Sequence, residues 1–114
     1  MLDGLRRRAK KAGLLERIDL RLAKPDSLGI EDLEGRIDFT LAFAVVHEMP
    51  APAPFFQQVA AASHAGAELL FAEPSGHVNA AEFDKDLATA ATAGFVVAER
   101  PSVRRSHGAL LRRN

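Results

Sequence analysis

A chain of 114 residues holds one small domain or part of a larger one. Its 47% hydrophobic and 26% charged residues, with 15 basic side chains against 15 acidic ones, exclude a disordered polymer and argue against nucleic acid or an anionic membrane as partner. The absence of cysteine removes disulfide scaffolds, thiolate metal sites and cysteine nucleophiles from consideration.

The first residues place leucine and alanine at Leu2, Leu5, Ala9 and Ala12, a helical stripe, with Arg6, Arg7, Arg8, Lys10 and Lys11 on the other faces. Gly13 is the expected stop. This basic start does not lead into an apolar stretch, so it is no secretory signal, and no run in the chain reaches membrane-span length; a cytoplasmic protein is expected. Ile18–Leu22 alternates apolar and polar residues and predicts a short strand. Lys24 to Gly35 reads as a loop punctuated by Pro25, Asp26, Ser27 and Gly29, with one helical turn at Ile30–Leu33.

Ile37 to Val46 is almost continuously apolar and rich in β-formers, which predicts a strand covered on both faces, as at the centre of a parallel sheet. The prolines at 50, 52 and 54 forbid regular helix through the next loop, and Pro54 suits the first turn of a helix carrying Phe55, Phe56, Val59, Ala60 and Ala62, stopped near Gly66. Glu68–Ala72 predicts another buried strand. Asn79 with Glu82 three residues on is a capping box for a helix with Phe83, Leu87, Ala90 and Ala91 on its apolar face, closed by Gly94. Phe95–Glu99 and Gly108–Leu111 predict two closing strands; with no helix between them, they should pair antiparallel. Alternation of strands and helices defines one α/β unit with helices expected on both faces of the sheet.

Three stretches together resemble class I S-adenosylmethionine-dependent methyltransferases, particularly the branch acting on small molecules. Met1-Leu2 and the basic helix ending at Ala12-Gly13-Leu14 are similar to the helix after the second strand of that family. Asp38–Pro50 resembles the fourth strand and the histidine-bearing turn behind it, and Ala67–Pro74 resembles the fifth strand. The resemblance implies a Rossmann-like fold of about five strands, S-adenosylmethionine as cofactor and a small-molecule acceptor. It covers the rear part of the family domain only. The glycine-rich turn and the acidic residue that hold the cofactor in the family have no counterpart here: the glycines stand singly at 4, 13, 29, 35, 66, 76, 94 and 108, and the first two strands would lie upstream of Met1. A late-called start or a truncated gene is the corresponding expectation, with impaired cofactor binding.

The resemblance also assigns residues. Where the family has an acidic residue facing adenine, this chain has Lys24, with Asp26 and Ser27 close behind; either Asp26 serves or the backbone alone holds adenine. Ala42 and Phe43 match positions packed beside the cofactor. His47 follows the carboxyl end of a strand, where α/β sheets place ligands, and is the general-base candidate for a hydroxyl or amine acceptor. Methyl transfer from an already activated sulfonium asks mainly for alignment, so few catalytic side chains are required. Glu48 beside His47 has no third ligand near it, and no metal is expected. Glu73, His77 and His107 read as isolated polar residues.

Without the upstream strands, Ile37–Val46 would become an uncovered apolar edge, a hazard that natural sheets avoid. A second reading follows: a non-enzymatic α/β module that pairs through this edge, as a homo-oligomer or with a separate chain.

Overall fold

The computed structural model describes residues 2–114; Met1, included in the first stretch of the family resemblance, lies outside them. Helix α1 (Leu2–Lys11) ends as expected, with Gly13 in the left-handed region and Leu14 N–H returning to the Ala9 carbonyl at 2.8 Å. Then come β1 (Ile37–Phe43), α2 (Pro52–Ala62), β2 (Ser63–Pro74), α3 (Ala80–Ala93), β3 (Phe95–Glu99) and β4 (Ser106–Arg113), with 3-10 turns at Leu15–Arg17, Glu31–Leu33 and Val46–Glu48.

The four strands form one sheet in the order β1-β2-β4-β3. β1 and β2 run parallel, while β4 is antiparallel to both β2 and β3. The closing pair is therefore antiparallel, as its lack of an intervening helix predicts. β2 starts earlier than expected because α2 stops at Ala62. Its first residues are irregular around Gly66, and the register with β1 becomes continuous only from Glu68 opposite Phe39.

Strand alternation divides the side chains sharply. Ala42, Leu69, Phe71, Ala109 and Leu111 point to one face and meet Phe55, Phe56, Val59 and Ala60 of α2 and Phe83, Leu87 and Ala90 of α3. All five expected core positions of α2 are buried, and so are Phe83, Leu87 and Ala90 of α3, whereas Ala91 is exposed. α3 begins with the predicted capping box. Asn79 Oδ1 accepts from Glu82 N–H at 2.8 Å, Glu82 Oε1 accepts from Asn79 N–H at 3.4 Å, and Gly94 closes the helix at φ 113°. Asn79→Ala is expected to cost about 1 kcal/mol, read as a lowered thermal midpoint with the circular-dichroism spectrum retained.

Two expectations fail, for related reasons. Ile18–Leu22 forms no strand, so the sheet has four strands and not five. It joins no ladder with any of the four strands, and a strand without a ladder has nowhere to satisfy its backbone. Arg21 fastens it instead, donating to Asp32 at 2.6 and 2.9 Å, to Asp19 at 2.8 and 3.0 Å, and to the Gly29 carbonyl at 2.9 Å. The Arg21 guanidinium accordingly lowers the pKa of the Asp32 carboxyl. The second failure is burial of β1 on both faces. α2 and α3 cover the same face of the sheet, while on the other Phe39, Leu41 and Phe43 are 53%, 63% and 53% exposed. β1 is an edge strand among the described residues. No helix among the described residues is long and apolar enough to cross a membrane.

Candidate functional site

The parallel strands β1 and β2 end side by side, and their carboxyl ends carry the chemistry. After Phe43 the chain takes a left-handed residue at Ala44 (φ 58°), which ends the ladder and swings Val46–Glu48 into a 3-10 turn over the end of β2. Beneath that turn lies Glu73, fully buried. Alternation fixes its direction: Leu69, Phe71 and Glu73 share one face, so the carboxylate points into the core side of the sheet.

A buried carboxylate needs donors, and Glu73 has three. Oε1 accepts from Val46 N–H at 3.1 Å; Oε2 accepts from His47 N–H at 3.3 Å and pairs with His47 Nδ1 at 2.5 Å. The same side chain caps the turn and orients the imidazole. With Nδ1 as the donor, Nε2 is left as the outward nitrogen, 4.0 Å from Glu48 Oε1 and at the surface. The His77 ring stacks on His47 at 5.5 Å and 9°. A depression of about 300 Å³ opens beside them, bounded by Met49, Pro52, Glu82 and Asp86. A carboxylate-held imidazole with one free nitrogen in a concavity can take a proton from a hydroxyl or amine.

Sequence reading singled out His47 and missed Glu73 and His77. The signal for Glu73 is its period-2 phase with Leu69 and Phe71, which puts a carboxylate at a core position and demands a partner. His77 gives no comparable signal, because it reaches the site from a turn. His107 is structural: its Nε2 donates to the Val78 carbonyl at 3.0 Å and its ring lies 5.5 Å from Phe83.

The acidic wall leaves a mark on Asp86. Partial burial, then repulsion from Glu73 and Glu82, raises its carboxyl pKa above the ordinary value. A raised carboxyl means that the folded state binds the proton more tightly than the unfolded state, so this residue favours folding below its unfolded pKa and loses that contribution as pH rises through the folded one. Asp86→Asn is therefore expected to raise the thermal midpoint at neutral pH, an advantage that disappears below about pH 4. Melting curves across that range check the sign.

The four residues assigned to the cofactor are not brought together. Asp26 and Ser27 sit on a turn closed by Lys24 N–H to the Ser27 carbonyl at 2.7 Å, and line a depression of about 400 Å³ with Met49, Phe55 and Gln58. Ser27 Oγ is engaged with Glu31 and Gly29 N–H, and Gln58 Nε2 donates to the Asp26 carbonyl. Ala42 is buried against the helices, whereas Phe43 lies on the open face. These positions do not form one cradle, and the described residues by themselves do not fit an enclosed S-adenosylmethionine site.

No protein-family model and no curated protein matches the sequence. Solved structures do. A methyltransferase dependent on S-adenosylmethionine from Aquifex aeolicus superposes with TM-score 0.74 at 16% identity, over 92% of this chain and 59% of its own. The cyclase SpnF gives TM-score 0.67 at 18% identity, over 83% of this chain and 39% of its own. A 16S rRNA N2 G1207 methyltransferase from T. thermophilus, in complex with AdoMet and guanosine, gives 0.58 at 20% identity, over 95% of this chain and 26% of its own. The chain thus spans well under two thirds of each of these structures. Together with the sheet order and the antiparallel closing pair, these likenesses establish that it carries part of the Rossmann-like fold of the class I S-adenosylmethionine-dependent methyltransferases.

Proposed function

We propose that this chain is part of an S-adenosylmethionine-dependent methyltransferase whose acceptor is a small molecule bearing a hydroxyl or amine, and that alone it grips the cofactor weakly. The observation that carries the reading is the Glu73–His47 pair, set at the carboxyl ends of two parallel strands, where open α/β sheets bind their ligands. His47 Nε2 accepts the acceptor's proton as the nucleophile attacks, and Glu73 holds the ring in that tautomer. Zero net charge and depressions of about 300 and 400 Å³ suit a small acceptor better than RNA. The weak grip follows from single, scattered glycines and from cofactor-side positions that do not converge.

Transfer of a labelled methyl group to a panel of small hydroxyl and amine acceptors, at saturating S-adenosylmethionine, tests the base. His47→Gln is expected to slow transfer about 100-fold; equal rates for both proteins would remove His47 from the chemistry, and no transfer to any acceptor would remove the activity. Isothermal titration with the cofactor tests the grip separately, since tight, low-micromolar binding contradicts it.

A further inference from the structure

α3 turns two acidic side chains toward the depression beside His47 and no basic one. Glu82 and Asp86 stand four residues apart on the helix and so are neighbours on one face. Both line the depression together with His47 and His77. Like charges at this spacing repel each other. α3 does offset a carboxylate elsewhere, where Asp84 pairs with Arg100 at 3.7 Å, yet no lysine or arginine among the described residues pairs with Glu82 or Asp86. Glu82 at least serves the fold, since its Oε1 accepts from Asn79 N–H. Asp86 does not: it is partly buried, has neither a cation nor a hydrogen-bond donor among the described residues, and is repelled by Glu73 and Glu82. A carboxylate kept where it lowers stability, in a concavity beside a base, is the pattern of a group retained for a ligand.

We infer that this depression selects an amine, entering as its ammonium ion, over a hydroxyl acceptor, with Asp86 and Glu82 as the residues that determine the choice. The inference rests on the reading of Glu73–His47 as the proton-accepting pair. An aliphatic amine is protonated at neutral pH, as a lysine side chain is, so it becomes a nucleophile only after losing a proton. The ammonium group donates to the carboxylates of α3 and to His47 Nε2. One N–H bond then breaks with its electron pair left on the amine nitrogen, and the proton bonds to Nε2. The products are a neutral amine and an imidazolium that faces the Glu73 carboxylate through Nδ1. An alcohol brings no charge to this wall and leaves its carboxylates partly desolvated and unpaired.

The rest of the depression agrees with such a ligand. Met49, Pro52 and Val78 give it apolar walls, and its volume of about 300 Å³ takes a compact hydrocarbon body. The body lies against these walls while the charged end meets α3, the division of labour usual in small-molecule sites. The arrangement does not depend on the uncovered side of β1. It lies over the end of β2, a strand paired on both sides, and its carboxylates stand on α3, which Phe83, Leu87 and Ala90 fasten to the core.

Titration of the chain with benzylamine and with benzyl alcohol, in the absence of cofactor, compares an ammonium with a hydroxyl on one body. Isothermal titration gives the affinities, and the ring signals of His47 and His77 in nuclear magnetic resonance give the place. Benzylamine should bind about 10-fold more tightly than benzyl alcohol, as one charge-assisted hydrogen bond implies, and should move both ring signals. Asp86→Asn, the variant expected to melt higher at neutral pH, should weaken benzylamine about 10-fold and leave benzyl alcohol unchanged, so that stability and binding move in opposite directions. Asp84→Asn removes the same charge from the same helix outside the depression, where salt screens it, and should leave benzylamine binding unchanged. Equal affinity for the two compounds, no saturable benzylamine binding at millimolar concentration, unmoved histidine signals, or equal effects of the 84 and 86 substitutions would each overturn the inference. Because binding is read without methyl transfer, failure of amine selection and failure of the methyltransferase reading are separate results.

Discussion

Phe71→Ala is expected to lower stability by about 3–5 kcal/mol, a large part of the 5–15 kcal/mol typical of a folded domain. Phe71 is fully buried at the centre of the sheet, between Ala42 of β1 and Ala109 of β4. Those two alanines leave room for the ring, which stacks on Phe83 at 4.9 Å and 12° and meets Phe56 edge-on at 5.3 Å and 89°. One side chain therefore joins the sheet to both helices, and its loss leaves a cavity that three elements would have to collapse together to fill. At about 4 °C per kcal/mol, the thermal midpoint should fall by more than 10 °C. Leu22→Ala is the comparison: Leu22 is 80% exposed, and its truncation should stay within about 0.5 kcal/mol. Equal losses at the two positions would mean that the aromatic cluster does not organise the core.

That cluster was legible in the sequence, as were the elements around it, because each has a local cause. Pro54 lies in the first turn of α2, although the helix already begins at Pro52, a residue that the alternating prolines assign to the loop; the Asn79–Glu82 box opens α3, Gly94 closes it, and an apolar run marks Glu68–Ala72. What could not be read were relations between elements. The alternation in Ile18–Leu22 is a strand pattern, but a strand also requires a partner to pair with, and the Arg21–Asp32 clamp that holds this segment spans eleven residues. The unbroken apolar run of β1 correctly signals a sheet interior, yet composition cannot say whether the neighbouring layer is supplied within these residues. His47 was found from its place after a strand. Its orienting partner was not, since Glu73 lies twenty-six residues away and becomes adjacent only through the parallel pairing of β1 and β2. The neighbours repeat the lesson at the level of function: the same fold serves a cyclase and methyltransferases, so the reaction has to be argued from the site.

Glu73 is where stability and chemistry can be separated by experiment. Glu73→Ala removes the acceptor of two backbone N–H groups and of the His47 ring, leaving buried donors without partners, at an expected cost of about 3–5 kcal/mol. Glu73→Gln keeps the shape and one acceptor oxygen but turns an amide N–H₂ toward one of the existing donors, so a smaller loss of about 1–3 kcal/mol follows. The two variants also differ in what happens to the imidazole. In the parent protein the carboxylate accepts from Nδ1–H, and nitrogen-15 spectra of the histidine ring should show Nδ1 protonated and Nε2 free at a pH where the ring is neutral. In the glutamine variant with its oxygen kept on Val46 N–H, the amide N–H₂ takes the place of Oε2 and donates to Nδ1, so the Nε2–H tautomer should become populated. If Glu73 served only as a cap for the 46–48 turn, the glutamine substitution would lower the melting temperature and leave the tautomer of His47 unchanged. A tautomer shift that accompanies slower methyl transfer would place the carboxylate in the positioning of the base.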